Sequence, residues 1–229
     1  MKTVTKKIRE IEGGGRLGRH VEHDPQSRAF SAGTAVIKTV KYKRHGKVFD
    51  QGELGSCTGN AMAGLLMTEP LWVSGRTLTE DDAVALYKVA TTLDRIPGKY
   101  PPTDTGSSGL GVMKAAVKAK YIVGYAHTFS IDQLLGSLSL RPGILGINWY
   151  SSFDNAKSDG ECPLTTSAKI RGGHEVEMFG IDVKKKRVWC YNSWGPTWGG
   201  RNNGTFYFSW KTLKRLLSEQ GDATFARTA

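Results

Sequence analysis

The first half of the chain is patterned for helices. Cys57 to Met67 is small and apolar with no proline, and reads as a buried helix entered through Gly55 and Ser56. Glu80 to Thr92 carries Ala83, Leu86, Tyr87 and Ala90 at helical spacing. Pro97 to Gly111 is broken by prolines and glycines and reads as a loop. Short helices are predicted over Leu110–Lys120 and Ile131–Ser139. The pattern then changes period. Gly143–Trp149, Glu175–Asp182, Arg187–Asn192 and Thr205–Ser209 read as strands, and Trp210–Ser218 as a last helix burying Leu213, Leu216 and Leu217. Before all of these, residues 10–33 read as an irregular arm and Val36–Tyr42 as a strand.

Helices followed by strands is an α+β pattern. It divides the chain into a basic arm and first strand (1–47), a helical half (48–125) and an antiparallel sheet or barrel half (126–229). A cleft between two such halves is a common place for a site.

The 229 residues carry 32 Lys and Arg against 21 Asp and Glu, a net charge of +11. Such a surface serves solubility or attracts an anionic partner, such as a cell wall. No clear nucleic-acid motif accompanies it. No apolar run reaches the roughly 18 residues of a membrane span. Met1–Arg9 is basic, with no apolar stretch of signal-peptide length behind it, so a cytoplasmic or phage-associated location is expected. Three cysteines, Cys57, Cys162 and Cys190, are too few for a disulfide framework. Cys162 reads as a loop thiol and Cys190 as packed inward. His45 and His127 read as surface residues, and His20, His23 and Asp24 as part of a flexible arm rather than a metal site.

Three stretches carry candidate chemistry. Gln51-Gly-Glu-Leu-Gly-Ser-Cys57 sets a thiol at a helix start, where unsatisfied N–H groups favour the thiolate. There the Cys57 N–H and the Gln51 amide are candidate donors to an oxyanion. A buried core cysteine beside turn glycines reads equally well. Gly172-Gly173-His174 sets a histidine at a strand start, which by itself is structural more often than not. Asn192-Ser-Trp194-Gly offers an acceptor for an imidazole N–H and an indole to shield it, or simply a Trp- and Gly-rich turn. In the order Cys, His, Asn they supply a nucleophile, a base and an orienting group.

On these residues the sequence resembles the papain-like cysteine peptidases, in the form of bacterial or phage members, from about Val48 to Phe208. The most specific part is Gln51 with Cys57 six residues later, then Gly-Gly-His and Asn-Ser-Trp-Gly-x-x-Trp-Gly. The resemblance implies a papain-like α+β fold and cleavage of peptide bonds through a thioester, with no metal or organic cofactor. It implies Cys57 as nucleophile, His174 as its partner, Asn192 as orienter, Gln51 in the oxyanion hole and Trp194 as cover. It also implies that Gly106, Ser107 and Ser108, with Gly173 and Glu175, bind substrate.

Some features depart from the family. Thr58 follows Cys57, and the disulfide-forming cysteine that secreted members carry in Cys-Gly-Ser-Cys-Trp is missing before it. Glu175 stands where a small residue is usual, on a wall of the pocket for the second residue before the scissile bond. A carboxylate there favours a basic substrate residue. Alternatively, Glu175 pairs with Arg171 or one of Lys184 to Lys186. Glu177 shares its face by the period of two. The arm is short, glycine-rich and basic, so it is expected not to act as an inhibitory prosegment. The rival functions are hydrolysis of peptidoglycan stem peptides at an anionic wall, and non-catalytic binding by the same fold.

Overall fold

The structure is a computed structural model that describes residues 4–8, 10, 15–23, 25–29 and 35–228. Asp24, Arg9 and the glycines of 11–14 lie outside the described residues.

The helical half forms as its pattern predicts. Helix α2 (Cys57–Leu66) is buried along its whole length, which is why its sequence is apolar all round. Helix α3 (Glu80–Ala90) begins at a reciprocal capping box between Thr79 and Asp82, with three acidic residues in its first turn. Helix α4 (Gly109–Lys118) is capped by the Ser108 hydroxyl, which accepts from the Gly111 N–H. These helices enclose an apolar cluster that includes Met62, Leu65, Leu66, Leu86 and Met113.

The other half is a sheet. Its strands are β3 (Val40–Lys41), β4 (Gly124–Thr128), β5 (Gly143–Tyr150), β6 (Ile170–Asp182), β7 (Arg187–Tyr191), β8 (Thr205–Ser209) and β9 (Asp222–Arg227). They run β4-β9-β5-β6-β7-β8, with β3 also on β6, and every pairing is antiparallel. Helices α5 (Ile131–Leu138) and α6 (Trp210–Ser218) pack on its second apolar cluster, around Trp149, Phe153, Phe206 and Phe208. The long strand β6 also packs against α2 and so joins the halves.

Four differences from the sequence pattern have physical causes. Strands β4 and β9 have no expected counterpart. β9 lies between β4 and β5, buried on both faces, so it shows no alternation to read. The strand expected at Val36–Tyr42 shrinks to two residues, and Val36 is 87% exposed. β6 begins at Ile170, because β5 pairs with it back through the glycines at 172 and 173.

The fourth difference is the arm, which is not irregular. β1 (Val4–Lys6) pairs antiparallel with β2 (Val21–His23), and a short helix α1 (Pro25–Ala29) follows. Leu17 of the arm is fully buried in the sheet cluster. Further corrections concern single residues. His127 is buried on β4 beneath the arm, not on the surface. Cys162 lies outside regular structure but is fully buried, its thiol facing the Phe153 carbonyl at 3.7 Å. His45, read as a surface residue, does stay partly exposed, stacked on Trp72 with ring centroids 3.7 Å apart.

Candidate active site

The site is built where the start of α2 meets the middle of β6. Backbone pairing brings Gln51 there from outside either element. Its N–H donates to the Ser193 carbonyl at 2.9 Å, and Asp50 bridges to Trp194. Asn192 follows the end of β7, its N–H held by the Gly204 carbonyl at 2.9 Å.

The histidine tautomer follows from donor and acceptor logic. Asn192 Oδ1 accepts from the Ser193 N–H at 2.8 Å, so the atom in that position is the oxygen. The same oxygen lies 2.7 Å from His174 Nε2, which must therefore carry a proton. Nδ1 of the neutral ring is left as a bare lone pair, buried and without a hydrogen-bond partner. The ring is held between Trp149, with centroids 4.8 Å apart, and Trp194 at 5.1 Å. Trp149 had no signal in the sequence, because a core tryptophan and a site tryptophan look alike there.

Cys57 is fully buried, and the backbone at Glu175, the neighbour of His174, and at Thr58 favours its thiolate. Burial pushes the thiol pKa far up, the charge of Glu175 adds to this, and the two backbone groups only partly offset it. Burial likewise lowers His174 to about 4, against the support of Asn192 and with help from the charge of Arg171. In this closed state burial disfavours the charged form of both groups. The Gln51 amide is fixed at both ends. Oε1 accepts from the Ser193 hydroxyl at 2.6 Å, and Nε2 donates to the Leu54 carbonyl at 2.8 Å, which leaves one N–H uncommitted.

The cleft is closed by the chain's own arm, contrary to the sequence expectation. The N–H groups of Gly18 and Arg19 donate to the Gly173 carbonyl at 3.1 and 2.9 Å. On the other wall the Ser107 N–H donates to the Gly18 carbonyl at 2.9 Å, and the His20 N–H to the Ser107 carbonyl at 2.7 Å. Thus Gly173 and Ser107 do pair with an extended segment, and that segment is residues 18–20. Gly18 makes this approach feasible. Its φ is +148°, and a Cβ there would lie 2.2 Å from the Gly55 carbonyl oxygen, two residues before the thiol. No amphipathic helix is needed to fill a cleft when backbone pairing and glycine suffice.

Side chains fasten the arm to both walls. Arg16 bonds Asp104 of the helical half at 2.9 Å, and Asp104 also accepts from the Gly55 N–H at 2.8 Å. Arg16 offers its backbone carbonyl to Trp194 Nε1 at 2.8 Å. His20 Nδ1 accepts from the Ile8 N–H at 2.9 Å, so its Nε2 donates to the Thr105 carbonyl at 2.7 Å. Ser108 is less available than expected, since its hydroxyl caps α4 and donates to Glu22 of β2 at 2.7 Å. Beside the arm a cavity of about 430 Å³ remains, reaching Asp104, Gly106 and Gly173.

Glu175 does not pair with Arg171, which bonds Asp154 at 2.8 Å instead. Its carboxylate faces the inside of the cleft wall, over Gly146. Glu177 lies further along β6, in an ion pair with Arg44 at 2.8 Å and a hydrogen bond from Thr68. Among the described residues no helix is long and apolar enough to cross a membrane.

No family model and no curated protein matches the sequence. Solved structures do match in fold. Xylellain, a cysteine protease from Xylella fastidiosa, is 20% identical, covers 96% of this chain and 99% of its own, and superposes with a TM-score of 0.62. A recombinant stem bromelain precursor is 15% identical over 97% of this chain and 78% of its own, with a TM-score of 0.58. Bromelain from Ananas comosus, in complex with the E64 inhibitor, is 16% identical over 85% of this chain and all of its own, also at 0.58. The chain therefore has the papain-like α+β fold, with its thiol, imidazole and amide gathered at the junction of the two halves.

Proposed function

We propose that the protein is a cysteine peptidase, with Cys57 as nucleophile, His174 as general base and acid, and Asn192 as the residue that orients the imidazole. The observation that carries this is the pinned Asn192 oxygen. It forces the proton onto Nε2 and leaves a buried lone pair on Nδ1, at the strand position next to Glu175, whose backbone favours the Cys57 thiolate. With the arm withdrawn, water and substrate enter, and the desolvation that disfavours both charged forms is relieved. The Cys57 proton passes to Nδ1 and the thiolate attacks a peptide carbonyl. The uncommitted Gln51 N–H and the Cys57 N–H receive the oxyanion. The imidazolium returns its proton to the leaving amine, and water, deprotonated by His174, hydrolyses the thioester. Trp194 covers the His174–Asn192 bond.

The test is product mapping by mass spectrometry on a mixed peptide library, with purified peptidoglycan as a second substrate because of the +11 charge. New peptide termini made by the wild type and not by Cys57→Ala support the reading. No cleavage of either substrate by protein with the arm released, while Cys57 remains alkylatable, would overturn it.

A further inference from the structure

The arm's closest contact with the body is not at the thiol but in a pocket beside it. Arg19 is 1% exposed, which is unusual for an arginine and demands a partner. Its Nη2 donates to the Asp222 carboxylate at the start of β9 and to the Gln220 carbonyl at 3.1 Å. His23 and His127 approach the same carboxylate, at 3.4 and 3.7 Å. Gly146 of β5 supplies the room. A Cβ built there would lie 2.5 Å from Arg19 Nε and 2.9 Å from a Glu175 carboxylate oxygen, so the two side chains meet over a missing one. Neither Glu175 oxygen has a hydrogen-bond partner, nor have Arg19 Nε and Nη1, although all are buried.

Arg19, with His23, belongs to the arm, whereas Asp222, Glu175, Gly146 and His127 belong to the body. A body that folds around two carboxylates and takes its guanidinium from a segment lying in the substrate cleft has a vacancy of defined chemistry once that segment leaves. We propose that this pocket selects an arginine side chain, and less well a lysine, from the substrate, and that Arg19 is its built-in occupant. Asp222 is then the residue that determines specificity. Glu175 deepens the pocket, and the Gln220 carbonyl reads the planar fork of a guanidinium, which favours arginine over lysine. The selection rests on the peptidase reading, but the pocket itself does not depend on turnover.

The experiment uses the full chain in four forms: wild type, Arg19→Ala, Gly18→Ala and Gly18→Ala with Asp222→Asn. Gly18→Ala dislodges the arm by its Cβ and leaves every charge in place, so it stands in if Arg19→Ala misfolds. Two quantities are read: cleavage of a peptide library randomised at each position, and alkylation of Cys57 by thiol-reactive epoxides bearing an arginyl or a leucyl group. Arg19→Ala and Gly18→Ala are expected to alkylate about tenfold faster than wild type or more, as the competent state becomes populated. In Gly18→Ala one position flanking the scissile bond should prefer arginine over leucine by roughly 10²-fold, and Asp222→Asn should remove most of that preference. The arginyl epoxide should show the same dependence. A leucine preference at every position, or a basic preference indifferent to Asp222→Asn, overturns the proposal and leaves the peptidase standing. Alkylation that favours the arginyl epoxide through Asp222, with no peptide cleaved, keeps the pocket and sinks the peptidase.

Discussion

Two buried carboxylate sites, at Glu175 and Glu177, stand two residues apart on β6 and meet opposite fates. Glu177 is matched by Arg44 and Thr68, both from the body of the protein. Glu175 has no hydrogen-bond partner and shares, with Asp222, an arginine lent by the arm. Burial raises the pKa of both glutamates. Arg44 and then Thr68 oppose this at Glu177, whereas at Glu175 the charge of Asp222 adds to it and only Arg19 opposes it. Burial would raise Asp222 too, but Arg19, with His23 and His127, holds that carboxyl well below the usual range. The first site is a joint, closed by residues that cannot leave without unfolding. The second is closed by a segment that can withdraw, so its charge is available to something else.

The largest effect separates chemistry from closure. In a Gly18→Ala background, Cys57→Ala should cut turnover roughly 10⁴-fold or more, with the unfolding midpoint unchanged, and His174→Ala should be comparably damaging because the two act as a unit. Retained hydrolysis in Cys57→Ala, with loss in Cys162→Ala, would place the nucleophile elsewhere.

Next comes the contrast itself. Arg44→Ala strands Glu177 in the interior and should cost about 3–5 kcal/mol in denaturant unfolding without speeding Cys57 alkylation. Arg19→Ala should do the reverse, since a freed arm lets water reach Asp222. If Arg44→Ala opens the thiol as much as Arg19→Ala does, the distinction between joint and clasp fails.

Gln51→Ala should lower kcat by about 10²–10³ with little change in KM, the signature of one oxyanion donor. A pure KM effect would move Gln51 out of that role, leaving only its bonds to Ser193 and Leu54.

The smallest effect is on pH dependence. His174 is lowered from its ordinary 6.5 to about 4. As pH falls, the unfolded chain takes up this proton first. Stability from keeping the ring neutral is therefore complete above 6.5 and is lost progressively toward 4, by roughly 2–3 kcal/mol at pH 4.5. Wild type should show this slope in urea unfolding and His174→Asn should not. Equal slopes would mean that the ring is hydrated in the closed state.

The residues of the candidate site were legible because the chemistry proposed for them needs particular residue types at particular local spacings. Gln51 six before Cys57, Gly-Gly-His174 and Asn192-Ser-Trp194 each form within a few residues of chain. The helical half was legible for a similar reason, since helical period and caps are local. Glu175 was also readable as an odd carboxylate, though its partner was not. Asp222 lies in a strand buried on both faces, with no alternation to announce it, and it meets Glu175 only because β9 pairs beside β5.

The arm shows the same limit from the other side. Its sequence established short length, glycines and basic charge, which suggested a loose tail. Only the tertiary structure decided that Gly18 fits against Gly55, that residues 18–20 pair with Gly173 and Ser107, and that Arg19 reaches Asp222. The physical reason is that these are contacts between segments far apart in the chain. Their energy lies in shape and in the desolvation of charge, neither of which exists until the two walls have come together.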